Sequence, residues 1–369
     1  MSMLQKLPVA ASKIFVWAFI PYRIQQQKLI SEYHDKPSER QELADVFAEL
    51  GIKWKWQPLT LENMQAVVEE VAAAADKCIP VVLNYCDGFD EIDGYPGIAI
   101  AKLLEAKNII FTGADASFLH LSDNKILMKR AFVKAGVSTA PYEVISYAAA
   151  FGGVCDRLGT PLIVKPAISY ASYGISLQSV VNSDEQVNLQ LQRLVQGQHG
   201  KYFPPESIFV EKFITGSEFT VLIVGSVHQP ATIKIYPPVE RIFHSSLAVS
   251  ERFLTFDRYW AKYQEETSLS PEEPFYRYQL ADPILHDKLC ELSMRAYCAV
   301  GGNGYGRVDV RMDKNSQELF VLEVNANCGI SSDDQTSVGN ILRFSGTPFA
   351  QLMSEMIGGA FDRHYTKSQ

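Results

Sequence analysis

The stretch GRVDVRMDKNSQELFVLEVNAN at 306–327 carries the densest chemistry in the chain. Read as two strands joined by the turn sequence DKNS, it sets Arg307, Asp309 and Arg311 on one face, because strand side chains alternate. Glu323 and Asn325 share a face of the second strand, with Leu322 and Val324 opposite. Antiparallel pairing can then bring Asp309, Glu323 and Asn325 together at one end. Two carboxylates and an amide carbonyl are hard oxygen ligands, suited to Mg²⁺ held jointly with phosphates. Arg307 is close enough to offset negative charge that develops in phosphoryl transfer. A solvated strand face with ordinary ion pairs would show the same alternation. The small, polar, glycine-containing continuation NANCGISSDD favours a site. Lys165 closes PLIVKP and Lys212 closes IFVEK, and each can reach a nucleotide phosphate as a point charge. Between them, YASYG at 170–174 can place backbone N–H groups and the Ser172 hydroxyl around phosphate oxygens. Neither a P-loop nor a dinucleotide fingerprint occurs.

These residues need strands and helices to hold them. KIFVWAFI at 13–20 predicts a buried strand, 37–50 a helix, and 60–74 a helix capped by Thr60. PVVLNY at 80–85 predicts a strand running into the acidic loop CDGFDEIDGYPG; a helix (IAIAKLLEA) and a short strand (NIIF) follow. This alternation predicts an α/β lobe. Residues 123–135 read as a helix capped by Asp123 or Ser122. PLIVKP and SLQSV read as strands, and Ser183 with Gln186 forms a capping box before a helix over 184–195. Residues 196–206 read as a linker. SIFVEKFI and EFTVLIVG read as hairpin partners turning at Gly216, and 256–280 as an ordered loop rich in aromatics. Helices are expected over 282–299 and 347–357.

The chain has 369 residues, 47 % apolar and 21 % charged, an ordinary globular composition long enough for two or three packed units. Its net charge of -8, with no basic block, gives a nucleic-acid partner little support. Six cysteines at 78, 86, 155, 290, 298 and 328 form no close pair, which reads as a reduced, cytoplasmic protein. No apolar run is long enough to span a bilayer, and residues 14–20 read as a first strand rather than a targeting segment.

Several segments, in order, resemble the D-alanine–D-alanine ligase branch of the ATP-grasp superfamily. They are TG at 112–113 with DNKILMKR, IVKPAISYASYGIS, FVEKFITGSEFTV, FDRYWAKY at 256–263, GRVDV, and LEVNANCG. The resemblance covers roughly 80–357. It implies an α/β fold of three lobes: an N-terminal substrate lobe (1–115), a central lobe (116–206) and a C-terminal lobe (207–369), with ATP between the last two. It implies that Lys125 and Lys165 contact ATP phosphates, that Glu211, Lys212, Phe213 and Ile214 line the adenine pocket, and that Glu218 holds the ribose. Ser172 and Lys262 would cover the transferring phosphate. Asp309, Glu323 and Asn325 would hold two Mg²⁺ ions, and Arg307 with the Gly329 backbone would stabilise the acyl phosphate and tetrahedral intermediate. The implied reaction is carboxylate attack on the γ-phosphate, then amine attack on the acyl carbon, in a homodimer acting on small molecules.

Two segments depart from that pattern. Cys328 stands where the family has proline, and Asp333 and Asp334 fall around its Ser-Leu pair. An aspartate facing a substrate carboxylate would be strongly unfavourable. In the N-terminal loop Cys86 stands near the family's histidine, and Glu91 or Asp93 near its acidic residue; Asp87, Asp90, Glu91 and Asp93 can bind an amino group or form a solvated acidic loop. The expectation is therefore an amino-acid ligase of specialised metabolism. Mycosporine-glycine ligation, which the resemblance to that branch includes and with which the aromatics near 256–276 are compatible, is one form. True D-alanyl-D-alanine synthesis, a non-catalytic ATP-binding regulator and a carboxylase are the alternatives. Cys328 reads as a small turn residue, not a nucleophile.

Overall fold

The computed structural model describes residues 7–31, 36–90, 92–145, 152–270 and 273–367. The continuous apolar run of β1 (Ile14–Pro21) occupies the interior of a parallel sheet, where both faces are covered. A small hairpin, β2 (Arg23–Gln25) and β3 (Lys28–Ile30), precedes α1 (Pro37–Leu50), which starts on a proline and stops at Gly51 with φ 66°. Then come β4 (Lys53–Leu59), α2 (Met64–Ala73), β5 (Ile79–Asn84), α3 (Ile98–Ala106) and β6 (Ile110–Phe111), giving sheet order β4-β1-β5-β6. Along β1, Val16, Ala18 and Ile20 pack in one core and Trp17 and Phe19 in another, as alternation requires. Helix α2 starts later than Thr60. The Asn63 side chain turns back to accept from Thr60 N, spending residues 61–63 on a turn.

Two helices follow, α4 (Ala116–Ser122) and α5 (Lys125–Lys134). Asn124, rather than Asp123 or Ser122, caps α5 by accepting from Ile126 N and Leu127 N. The central sheet holds β7 (Tyr142–Val144), β8 (Leu162–Pro166), β9 (Val180–Val181) and β10 (Ile208–Lys212), in the order β7-β10-β8-β9, with α6 (Val154–Leu158) and α7 (Asp184–Gln196) between its strands. Most of SLQSV is a 3₁₀ turn, Leu177–Ser179, fixed by a Ser176–Ser179 capping box, so only its end reaches the sheet.

The C-terminal sheet has β11 (Glu218–Ser226), β12 (Gln229–Ile235), β13 (Val239–Phe243), β14 (Tyr276–Leu280), β15 (Asn303–Met312) and β16 (Leu319–Ala326). Its path is β14-β13-β11-β15-β16, with β12 also on β11. Between these strands lie α8 (Phe256–Trp260) and α9 (Pro283–Ala299); α10 (Ser337–Ser345) and α11 (Phe349–Lys367) close the chain. The expected β10–β11 hairpin does not form. β10 pairs with β7 and β8, whereas β11 pairs with β12, β13 and β15, so the chain changes sheets across 213–217. Gly216 makes this crossing possible, since a Cβ there would lie 2.0 Å from Met312 O. The central sheet thus extends past 206 to Lys212, and α4 and α5 bury Phe118, Met128 and Phe132 against Val308 and Val324 of the C-terminal sheet. Each such buried side chain contributes about 1.5–3 kcal/mol.

The aromatic segment 256–280 also differs from a plain loop, because it holds α8, capped by Thr255, and strand β14. Helix α11 runs well beyond 357. Two glycines at 358–359 argue for a stop, each costing about 1 kcal/mol in a helix, but burial of Ile357, Ala360 and Phe361 outweighs them. Among the described residues no helix is long and apolar enough to cross a membrane.

Candidate active site

Strands β15 and β16 pair Arg307 with Asn325 and Asp309 with Glu323, and the register shifts just after Asp309. Val310 therefore faces Val321, and Leu322 is the extra residue of a bulge. The bulge corrects the simple alternation. Leu322 joins Glu323 and Asn325 in the cleft lining, while Val321 and Val324 pack in the core. Asp309 is buried and accepts from Arg307 Nε (3.0 Å), Arg307 Nη2 (2.8 Å), Thr220 Oγ1 (2.9 Å) and Asn325 Nδ2 (3.0 Å). Burial pushes its carboxyl above the usual range; Arg307 opposes this and Glu323 adds to it. Glu323 is held low: burial alone would raise it, but Lys125, Lys165 and Arg307 prevail. Lys125 Nζ lies 3.5 Å from its Oε2.

A cavity of about 330 Å³ spans this hairpin, the central sheet and the acidic N-terminal loop. Lys125, Lys165, Ser172, Glu211, Lys212, Phe213, Ile214, Glu218, Arg307, Asp309, Glu323, Asn325 and Gly329 all line it, as do Asp87 and Asp93. Three expected residues are not brought there. Lys262 is exposed, its Nζ 5.4 Å from the Phe256 ring and 5.5 Å from the Trp260 ring, which hold it on the outside of α8. Asp333 and Asp334 are exposed, bonded to Gln335 N and Gln335 Nε2 in a surface turn. Glu91 lies outside the described residues.

The nucleotide side is built around Glu211. Its carboxylate lies 2.5 Å from Lys129 Nζ and 2.6 Å from Lys165 Nζ. Burial would raise its pKa, but the two cations hold it down at about 2. Glu218 is clasped by Arg241 and Arg311, and Arg311 also donates to Ile214 O at 2.7 Å. Lys125 Nζ donates to Ser169 O (2.6 Å), at the base of the loop containing Ser172. Ala171 and Ser172 have φ 48° and 60°. Two contacts hold this uncommon backbone: Ser172 Oγ donates to Leu254 O (3.0 Å) and Trp260 Nε1 to Ala171 O (3.1 Å). At Gly329 a Cβ would meet nothing within 4 Å, so its backbone stands open to the cavity.

Several site residues escaped the sequence reading. Lys129 stands one helical turn after Lys125, and that i, i+4 spacing was the available signal. Thr220 and Arg241 enter through pairing between strands far apart in sequence, and the same pairing gives Arg311, already expected on the Asp309 face, its partner Glu218. Asn327 (φ 48°) accepts from Ala114 N (2.7 Å) and donates to Cys86 O (3.3 Å), tying the end of β16 to the N-terminal lobe. Cys328 and Cys86 are buried, and burial pushes the Cys328 thiol up to about 12. We expect Cys328→Ala to keep parental turnover and a neutral-pH thiol reagent to leave Cys328 unlabelled in the native protein. Rapid labelling accompanied by inactivation would contradict this.

Asp309, Glu323 and Asn325 fit a divalent cation. They form a mutually repelling carboxylate pair, Asp309 buried and Glu323 half-buried, with an amide beside it, and among the described residues no third carboxylate, histidine or cysteine completes a metal cluster. The remaining ligands then come from ATP phosphates and water, the usual pattern for Mg²⁺.

The D-ala D-ala ligase C-terminus family matches residues 132–358. Curated relatives include D-alanine–D-alanine ligases of Acinetobacter baumannii. One is 27% identical over 294 residues, 77% of this chain and 86% of the relative; that of strain AYE is 28% identical over the same length. Similar solved structures include the Bacillus anthracis D-alanine–D-alanine ligase complexed with ATP (TM-score 0.65, 18% identity, 97% of this chain and 100% of that one). The Coxiella burnetii D-alanine–D-alanine ligase has a TM-score of 0.63 at 17% identity, covering 96% and 97%. The chain belongs to the D-alanine–D-alanine ligase branch of the ATP-grasp enzymes, ATP-dependent ligases that form a carbon–nitrogen bond with small-molecule substrates.

Proposed function

We propose that the protein condenses two D-alanine molecules. A carboxylate oxygen of the first attacks the γ-phosphorus of ATP and ADP leaves. The amine of the second attacks the acyl carbon, and phosphate leaves. One observation carries this choice over a specialised acceptor. Asp333 and Asp334, whose charges would repel a substrate carboxylate, are exposed and absent from the cavity lining. The aromatics that suggested a ring substrate are also otherwise engaged. Trp260 bonds Ala171 O and Tyr263 stacks on Phe275 at 5.9 Å; of the described residues in 256–276 only Tyr259 lines the cavity. Mycosporine ligation therefore keeps no separate support.

In this reading Lys125 and Lys165 hold ATP phosphates, and Phe213 and Ile214 flank the adenine. Glu218 meets the ribose, and Glu211 fixes the lysines rather than the base. Asp309, Glu323 and Asn325 hold Mg²⁺, which when bound neutralises phosphate oxygens. Arg307 and Gly329 N–H stabilise the charge on the acyl group, and Ser172 closes over the phosphate. Most of the rate comes from positioning and preorganised charge. A homodimer, proposed from the resemblance, would show twice the monomer mass by light scattering.

The test is phosphate release from Mg-ATP with D-alanine, with the product identified by mass spectrometry. A product equal to two alanines minus one water supports the proposal. Release only with a different amine and acceptor would replace it with the specialised reading, whose one structural support is the acidic wall of Asp87, Asp93 and Asp123.

A further inference from the structure

Asp123 stands where no local role explains it. It follows α4 at the helix's C-terminal end, where the helix dipole disfavours a carboxylate. It does not cap α5, because Asn124 does. Its neighbour Ser122 is pinned to β16, donating to Val324 O (2.8 Å) and accepting from Ala326 N (2.9 Å) on either side of Asn325. Asp123 is thereby fixed in the lining of the cavity that contains Arg307 and Gly329. Its Oδ2 is withdrawn from solvent and has no hydrogen-bond partner among the described residues. Asp87 and Asp93 line the same cavity. Of the cations near this wall, Lys125 is already bonded to Ser169 O and faces Glu323.

We infer that Asp123 receives the ammonium group of the incoming amine and takes the proton which that group must lose before it attacks. The inference rests on the ligase reading and extends it to a residue outside the ATP and Mg²⁺ machinery. In the step, the ammonium N–H bond breaks and its proton passes to the Asp123 carboxylate. The freed nitrogen pair forms the C–N bond at the acyl carbon. The bond from that carbon to the phosphate oxygen breaks, and phosphate leaves with the electron pair. The second nitrogen proton is lost to the departing phosphate.

The electrostatics agree with this role. Burial pushes the Asp123 carboxyl up to about 8, Asp87 contributing and Lys125 opposing, with Asp90 and Asp93 adding smaller repulsion. A cation arriving there restores the carboxylate, since opposite charge favours the ionised form. A carboxyl tuned upward is also the better proton acceptor near neutrality.

The experiment compares two nucleophiles on the full chain with Mg-ATP and D-alanine. Hydroxylamine, uncharged near neutral pH, traps the acyl phosphate as a hydroxamate without an ammonium site. A second D-alanine arrives charged. Asp123→Asn is expected to lower kcat/KM for D-alanine coupling roughly 10²-fold or more, while hydroxamate formation stays at the parental rate. Its unfolding temperature should hold or rise, because a carboxyl that folding forces out of its ionised form is removed. Asp123→Glu should recover part of the coupling. Parental coupling in Asp123→Asn overturns the inference. So does equal loss of coupling and hydroxamate, which would assign Asp123 to the first step or to folding. Wild-type protein that forms hydroxamate but no dipeptide sinks the D-alanine assignment instead; the Asp123 comparison is then made with the amino acid that couples.

Discussion

Asp309→Asn is expected to cut ATP-driven phosphate release by roughly 10²–10³, while ATP still binds. The substitution keeps shape and volume. It removes one of two carboxylates that the buried hairpin offers to Mg²⁺, and the counter-charge of Arg307 with it. Asparagine can still accept one bond from Arg307 or Thr220, so the strand pair should persist. A half-buried guanidinium without its carboxylate is nevertheless costly, and a lower unfolding temperature is expected alongside the lost turnover. Steady-state release at saturating ATP and Mg²⁺, measured with nucleotide affinity, separates the two effects. A variant that kept about a third of parental release would place phosphoryl transfer elsewhere, since loss of one charge-stabilising group typically costs far more.

The second large effect is on stability. Lys129 is only 1% exposed, bonded to Glu211 at 2.5 Å and to Thr139 Oγ1 at 2.8 Å; Thr139 in turn donates to Val321 O. One ammonium thus joins α5, β10 and β16. Lys129→Met keeps the volume and leaves Glu211 with Lys165 alone, a change expected to cost about 3–5 kcal/mol. That corresponds to a fall of roughly 4–7 °C in unfolding temperature. Adding Glu211→Gln should recover part of the loss, as expected for coupled neighbours. The same cluster predicts acid sensitivity. The folded Glu211 carboxyl sits near 2, below its ordinary 4.5. Its contribution is fully present above the ordinary value and fades as pH falls from about 4.5 towards 2, by about 3 kcal/mol in all. Lys129→Met should flatten that dependence. Urea unfolding between those pH values checks this; parallel curves for parent and variant would contradict it.

Local signals in the chain specified several elements, although the Thr60 cap, the Asp123 or Ser122 cap and the SLQSV strand were displaced by neighbouring side chains. The run at 14–20, Pro37 with Gly51, and Ser183 ahead of α7 each specify their element through side-chain period or capping. The ligand-type residues 307, 309, 323 and 325 were legible because one turn joins their strands. What escaped depends on partners distant in sequence. Whether β10 pairs with β11 or β8 is decided by the close approach at Gly216, not by either strand's apolar pattern. The bulge that turns Leu322 into the cleft is a register property of two strands together. Asp334, aligned by motif to a substrate-facing position, is drawn into a surface turn through the Gln335 side chain and Asn340, which donates to its carbonyl. Lys129 was visible in the sequence, but its ion pair with Glu211 required the third dimension.

The first strand and the last helix belong to one core. Val16 and Ala18 of β1 and Phe47 of α1 cluster with Met353, Ile357 and Phe361 of α11. Arg363 reaches from α11 to the carbonyls of Gly113 and Phe111, beside β6. During synthesis on a ribosome, the N-terminal lobe emerges long before the helix that covers it. One side of its parallel sheet must wait, apolar and covered only in part by α1, while some 230 further residues are made. The order of translation and the order of folding therefore diverge. A nascent chain stalled before α11 would carry a sticky, half-finished lobe, a natural target for chaperones, whereas release of the full chain would bury that face in a single late docking event.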